Sequence, residues 1–215
     1  SNAAEERLSS DGRVPAIPLQ TDFYRRMVYP ADARVYVIIS DALRYEVAAE
    51  LADDLRLATQ SKVELGSMQG IFPTITKFGM AALLPHQRLS VEEKAGGLSV
   101  LADGASTEAP RRDKVLKAAN PKSVALKYKD MIGMKRPERS ALIRGMDVVY
   151  IYHDTIDEAG HTGTSIFTAC EDAIAEIKNM VRMITGEFGG VHILITADHG
   201  FLYTDQPLRE DEKVD

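Results

Sequence analysis

Val35-Tyr36-Val37-Ile38-Ile39-Ser40-Asp41 is the stretch on which the fold turns. Five consecutive apolar residues, four of them β-branched, leave no polar face. An unbroken run of this length reads as a strand covered on both sides, as in a parallel sheet. Ser40-Asp41 closes it with polar residues. Beyond it Leu43, Val47, Leu51 and Leu55 recur at helical spacing with charges between them, so residues 42–57 are expected to form a helix.

Two more such runs lie far downstream. Residues 147–152 (DVVYIY) form one and residues 191–196 (VHILIT) the other, which leads into Ala197-Asp198-His199-Gly200. Between them residues 166–184 carry an apolar stripe through Ile166, Ala169, Cys170, Ala173, Ile174, Ile177, Val181 and Ile184, the pattern of an amphipathic helix. Strand, helix and strand of this length make a βαβ unit with parallel pairing and a right-handed crossover. The expected class is therefore α/β: three layers, α/β/α, around a mostly parallel sheet. Residues 87–146 are broken by Gly96-Gly97, Asp103-Gly104 and Pro110-Arg111-Arg112, with short helices expected at 113–119 and 122–131.

Ser1-Asn2-Ala3 reads as the remnant of a cleaved tag, and residues 4–33 as a polar, Pro-containing lead-in with an apolar patch at Phe23-Tyr24 and Met27-Val28-Tyr29. Residues 34–215 are expected to be one domain, truncated at its C-terminus because residues 203–215 trail off without a closing element. No apolar run reaches the length needed to cross a bilayer. One cysteine among 215 residues excludes an internal disulfide and is compatible with a cytoplasmic location. A net charge of −6 argues against a broad basic nucleic-acid footprint, yet bound cations in an acidic pocket would reverse the local field.

Ligands of parallel α/β sheets bind beyond the carboxyl ends of the strands. Asp41 ends the first strand. His153, Asp154, Asp157 and His161 follow the second, and Asp198 and His199 the third. A mixed Asp/His set of this kind suits zinc or manganese. Each residue also has a plainer reading. Asp41 and Thr76 both stand where a helix N-cap would, Asp198-His199-Gly200 is compatible with an ordinary turn, and Asp157 and His161, four apart, with a local hydrogen bond in a solvated loop. Their joint placement at strand ends favours the metal reading.

The segments VIISDALR (37–44), FPTITKFGMAALLP (72–85), YIYHDTIDEAGH (150–161) and ITADHGF (195–201) resemble, in content and order, the PglZ domain of the alkaline phosphatase superfamily. The resemblance runs from about residue 34 to 203. It implies that Thr76 is the nucleophile, with Thr74 its rival. It implies that Asp41, Asp198 and His199 hold the metal touching Thr76, and that Asp157 and His161 hold a second metal. Two divalent ions follow, Zn2+ being favoured over Mn2+ or Mg2+. The second metal ordinarily takes one further histidine from a more C-terminal region, and no histidine follows His199 here; His86 and His153 are substitutes that no motif recommends. Lys77 and Arg44 are expected to bind non-bridging phosphate oxygens.

What the resemblance implies is a metal-dependent phosphodiesterase or phosphomonoesterase in bacterial defence against phage. Its substrate would be a phosphate ester, with a nucleotide or nucleic-acid diester plausible, and other defence proteins its partners. The reading from another class is a scaffold that keeps the fold without turnover. A sulfatase would carry Cys or Ser where Thr76 stands, and a mutase a larger insertion than the middle segment provides.

Overall fold

The computed structural model describes residues 17–58, 61–163, 165–189 and 192–198, and the backbone of 201–207. Strand β1 (Val35–Ser40) is buried at all six positions. It leads through a turn into α1 (Tyr45–Ala58), and then come β2 (Ser61–Ser67) and α2 (Thr76–Ala82). A small antiparallel sheet follows, made of β3 (Leu89–Lys94), β4 (Gly97–Ala102) and β5 (Ala105–Ser106). After it come α3 (Arg112–Ala119), β6 (Ser123–Lys127), α4 (Tyr128–Gly133), α5 (Arg136–Ile143), β7 (Val148–His153), α6 (Thr155–Thr162), α7 (Ile166–Phe188), β8 (His192–Thr196) and β9 (Phe201–Pro207). The main sheet has the order β2-β9-β8-β1-β7-β6. Its core, β8-β1-β7-β6, is parallel, and β9 runs antiparallel to both β8 and β2.

Strand pleating sends successive side chains to opposite faces, and this builds two cores. Tyr36 and Ile38 of β1, Val149 and Ile151 of β7, and Ile193 and Ile195 of β8 face one layer, formed by α1, α4, α5, α6 and α7. Val35, Val37, Ile39, Val148, Tyr150 and Leu194 face the other, formed by α2, α3 and the segment before β1. The three-layer α/β/α class is as expected. Each fully buried Ile, Leu or Val on these faces contributes about 1.5–3 kcal/mol. Phe23, Tyr24 and Val28, from the stretch anticipated as a lead-in, are part of the second core.

Several local expectations are corrected. The helix expected from residue 42 starts at Tyr45, because Ala42 adopts a left-handed φ of 61° and turns the chain out of β1 first. The helix expected at 122–131 is half strand. Val124 and Leu126 face one core and Ala125 the other, a period of two that pairs β6 with β7. Strands β7 and β8 are parallel but not neighbours, since β1 lies between them and pairs with both. The helices at 113–119 and 166–184 are present as α3 and α7, the latter ending at Gly189 in a left-handed cap. No described helix is long and apolar enough to cross a membrane.

The buried Tyr150 hydroxyl donates to the Leu83 carbonyl at 2.7 Å and so ties β7 to the end of α2. Tyr150→Phe leaves that buried carbonyl short of its partner. Urea unfolding is expected to show a loss of about 1–2 kcal/mol with an unchanged m-value.

Candidate functional site

The parallel register brings the strand ends level. Ser40 pairs with His153, and Ile39 with Thr196, so the residues following β1, β7 and β8 emerge along one edge. The Asp41 N–H donates to the His153 carbonyl at 2.7 Å, extending the ladder one step. The chain then reverses at Ala42. Its left-handed backbone turns the Ala42 N–H to Asp198 Oδ1, 3.2 Å away.

Asp41 and Asp198 thereby share one small volume. Burial is the largest influence on Asp41, the Asp198 carboxylate adds charge repulsion and a hydrogen bond, and Asp157 adds further negative charge. Together they raise the Asp41 carboxyl to about 7, against a small opposing pull from the Ala42 N–H. Asp41 Oδ1 is buried without a hydrogen-bond partner among the described residues. Crowded carboxylates with an orphaned oxygen are what a divalent cation would satisfy, and oxygen donors are compatible with zinc, manganese or magnesium. The donor set in place therefore fits a metal at Asp41 and Asp198.

The remaining candidates are placed less tightly. Asp157 lies on α6, near enough to act on Asp41 electrostatically. His161, one turn later, is 80% exposed with Nε2 3.6 Å from Asp157 Oδ2. No trio of His, Cys, Asp or Glu is drawn together tightly enough to hold an ion among the described residues. His199 lies outside the described residues.

Thr76 is the first residue of α2. The N-cap is Ile75, which makes no side-chain cap bond, so Thr76 is not the cap. Thr74, the rival nucleophile, is exposed in the preceding loop. Helix α2 is seated directly on the Asp198 turn. A Cβ added to Gly79 would stand 1.9 Å from the Asp198 carbonyl oxygen and 2.7 Å from its carbon. Thr76 precedes Gly79 by three residues and shares its face of the helix. Only a residue without a side chain allows this approach.

The two expected phosphate-binding cations have different surroundings. Lys77 Nζ donates to the Leu98 carbonyl of β4 at 3.2 Å. Arg44 is exposed ahead of α1, close enough to Cys170 of α7 to pull down a half-buried thiol that burial raises. His86 does not join the site. Its Nδ1 is 2.7 Å from the Leu84 carbonyl, and it lines a groove of about 1060 Å³ that none of Asp41, Thr76, Asp157 and Asp198 touches.

Beneath Asp41 sits a chain of polar groups. Ser40 Oγ is 2.9 Å from His153 Nδ1, and His153 Nε2 is 2.6 Å from Glu176 Oε2, which also accepts from the Thr155 hydroxyl at 2.5 Å. Burial pushes the Glu176 carboxyl up, but the bonds from His153 and Thr155 outweigh it and hold the group low. The composition is that of a Ser-His-carboxylate triad. Ser40 is completely buried, however, so it cannot meet a substrate. With both ring nitrogens engaged, His153 serves as a brace between β1, β7 and α7 rather than as a metal ligand.

Sequence reading missed two contributors. Gly79 carried a signal, a lone glycine inside a helical segment, which implies a close backbone approach. Gln20, fully buried with its amide bonded to the Ala197 and Asp198 carbonyls, carried none.

Gly79→Ala is expected to cost about 3 kcal/mol or more, because its obstacle is backbone. Gly133→Ala, where an added Cβ meets nothing within 4 Å, is expected to be neutral or mildly stabilising; chemical denaturation of the two variants side by side checks both. Asp41→Asn tests the crowded pair. The folded carboxyl titrates near 7 against an ordinary 3.8, so its contribution is best at low pH and is lost as pH rises through 7. With a chelator present, Asp41→Asn should melt a few degrees above the unsubstituted chain at about pH 8, and the gap should close toward about pH 4.

Comparison with known proteins places residues 23–215 in the family described as the BREX system PglZ alkaline phosphatase-like domain. The chain is 42% identical over 220 residues to the alkaline phosphatase-like protein BrxZ of Escherichia coli O9:H4 (strain HS), covering 98% of this chain and 25% of that protein. It is 36% identical over 220 residues to the alkaline phosphatase-like protein PglZ of Bacillus cereus (strain H3081.97), covering 100% of this chain and 26% of that protein. The chain thus spans about a quarter of the length of these curated relatives.

Proposed function

This chain belongs to the PglZ family of BREX-system alkaline phosphatase-like domains, and from that premise we propose that it carries the catalytic face of a metal-dependent phosphoric ester hydrolase. The observation that supports this most directly is the crowded Asp41–Asp198 pair, with α2, which begins at Thr76, packed at Gly79 against the same turn. The proposed setting is the bacterial cytoplasm, in defence against phage alongside other proteins of the system. The substrate class is a phosphodiester or phosphomonoester, with nucleotide or nucleic-acid diesters favoured among diesters.

In this reading Asp41, Asp198 and His199 would hold one divalent ion, and Asp157 and His161 would supply two donors to a second. Bound Zn2+, with Mn2+ or Mg2+ as alternatives, supplies positive charge that acidifies a hydroxyl and neutralises developing oxyanions. Thr76 Oγ1 attacks phosphorus as the P–O ester bond breaks, and the proton lost by the hydroxyl ends on the ester oxygen, which departs as the alcohol. Water then hydrolyses the resulting phosphothreonine and frees the hydroxyl. Arg44 and Lys77 steady the non-bridging oxygens, Lys77 exchanging its bond with the Leu98 carbonyl for the substrate. The His153 brace, whose carbonyl takes the Asp41 N–H, would hold Asp41 in place, as groups behind metal ligands commonly do.

The test is metal content together with hydrolysis of bis-p-nitrophenyl phosphate and p-nitrophenyl phosphate, comparing the unsubstituted chain with Thr76→Ala and Asp198→Ala. Thr76→Ala should keep its metal and lose turnover by about a thousandfold or more. Asp198→Ala should lose both. The ratio of the two substrates ranks diester against monoester. A folded chain with no bound metal and no turnover on either substrate would leave the scaffold as the better reading.

A further inference from the structure

We propose that Gln20 is a positioning residue for the site: its side-chain amide fixes the Asp198 turn against the loop that leads to Thr76. The inference rests on the reading of Asp198 as a metal ligand.

Gln20 is 0% exposed, an unusual place for an amide unless every hydrogen-bonding position is used. Here the amide is used at both ends. Nε2 donates to the Asp198 carbonyl at 2.8 Å and to the Ala197 carbonyl at 3.3 Å. Oε1 accepts from the Ile71 N–H at 3.1 Å, five residues before Thr76. Three distant segments thus converge on one side chain. If Gln20 only fastened the N-terminal segment, the backbone would suffice. Gln20 N–H donates to the Gln69 carbonyl at 2.9 Å, and Gln69 N–H to the Pro18 carbonyl at 2.8 Å.

The amide instead addresses the carbonyl that matters. Asp198 O receives the Gln20 donor and also lies where a Cβ on Gly79 would fall. The turn is therefore gripped between the amide and the backbone of α2, while Asp198 Oδ1 takes the Ala42 N–H. A shift of this turn would move Asp198 relative to Asp41 and Thr76 at once. Glutamine alone supplies the required pair of functions at that length. Glutamate would set a carboxylate oxygen against two carbonyls, and methionine would supply neither donor nor acceptor.

The experiment measures Zn2+ dissociation constants by calorimetry and melting temperatures for the unsubstituted chain, Gln20→Glu, Gln20→Met and Val28→Ala. Val28 is a core residue of the same segment and controls for plain loss of stability. Both Gln20 variants should bind Zn2+ about 10–100-fold more weakly, while Val28→Ala keeps its affinity at a lowered melting temperature. In the unsubstituted chain the Gln20 side-chain amide should give slowly exchanging proton–nitrogen signals that shift when Zn2+ is added. This measurement decides the matter even where a variant fails to fold. Folded Gln20 variants with unaltered Zn2+ affinity, or amide signals indifferent to Zn2+, would overturn the role of Gln20 and leave the proposed function standing. An unsubstituted chain that binds none of Zn2+, Mn2+ and Mg2+ would overturn that function and this inference together.

Discussion

Two carboxylates held in one desolvated spot repel each other, and the protein arranges much of its structure to keep them there. Asp41 and Asp198 end up side by side because β1 and β8 are adjacent and level. In bulk water such a pair would separate or take up a proton. Here Ala42 accepts a left-handed backbone to aim its N–H at Asp198, Gly79 gives up a side chain so that α2 can approach, and a buried amide grips the turn from behind. Each feature departs from local preference, and all converge on one place. Such local conflicts gather where a site must be held in a geometry that the chain alone would not choose.

The layered fold was legible because burial on both faces leaves a plain mark. The runs at β1 and β7 contain no polar residue before their last position, that at β8 has only His192 at its start, and the stripe on α7 repeats over about five turns. What misled was short or contextual. Residues 123–127 have both a helix-compatible composition and a two-residue alternation, and only the open side of β7 decides for strand. Adjacency was illegible for another reason. A βαβ pattern specifies parallel direction, but not whether a third strand slips between, and β1 does. Strand β2 and the small β3-β4-β5 sheet present half-exposed faces, which are poor in periodic signal.

The candidate site was readable where residue type and strand end coincide. Asp41 and Asp198 are the clear case. Thr76 was ambiguous between cap and nucleophile until Ile75 was seen in the cap position. Side-chain direction was beyond reach: nothing in the sequence says that Lys77 turns to β4, or that His153 spends both nitrogens on Ser40 and Glu176. Gln20 was illegible in principle, because one polar residue in a polar stretch gives no hint of the partners that a distant turn will bring.

The Gln20–Asp198 bond closes a loop of 178 residues, nearly the whole described chain. Contacts of such separation form late, since the entropy of closure must be met before they return anything. During synthesis the Gln20 amide has no Asp198 carbonyl to hold until β8 and the turn after it are made, although the backbone around Gln20 can already pair with Gln69. The geometry around Asp198 therefore waits until the turn after β8 has been made. A nascent chain can build β1 and α1 and still lack the arrangement that sets Asp198 beside Asp41.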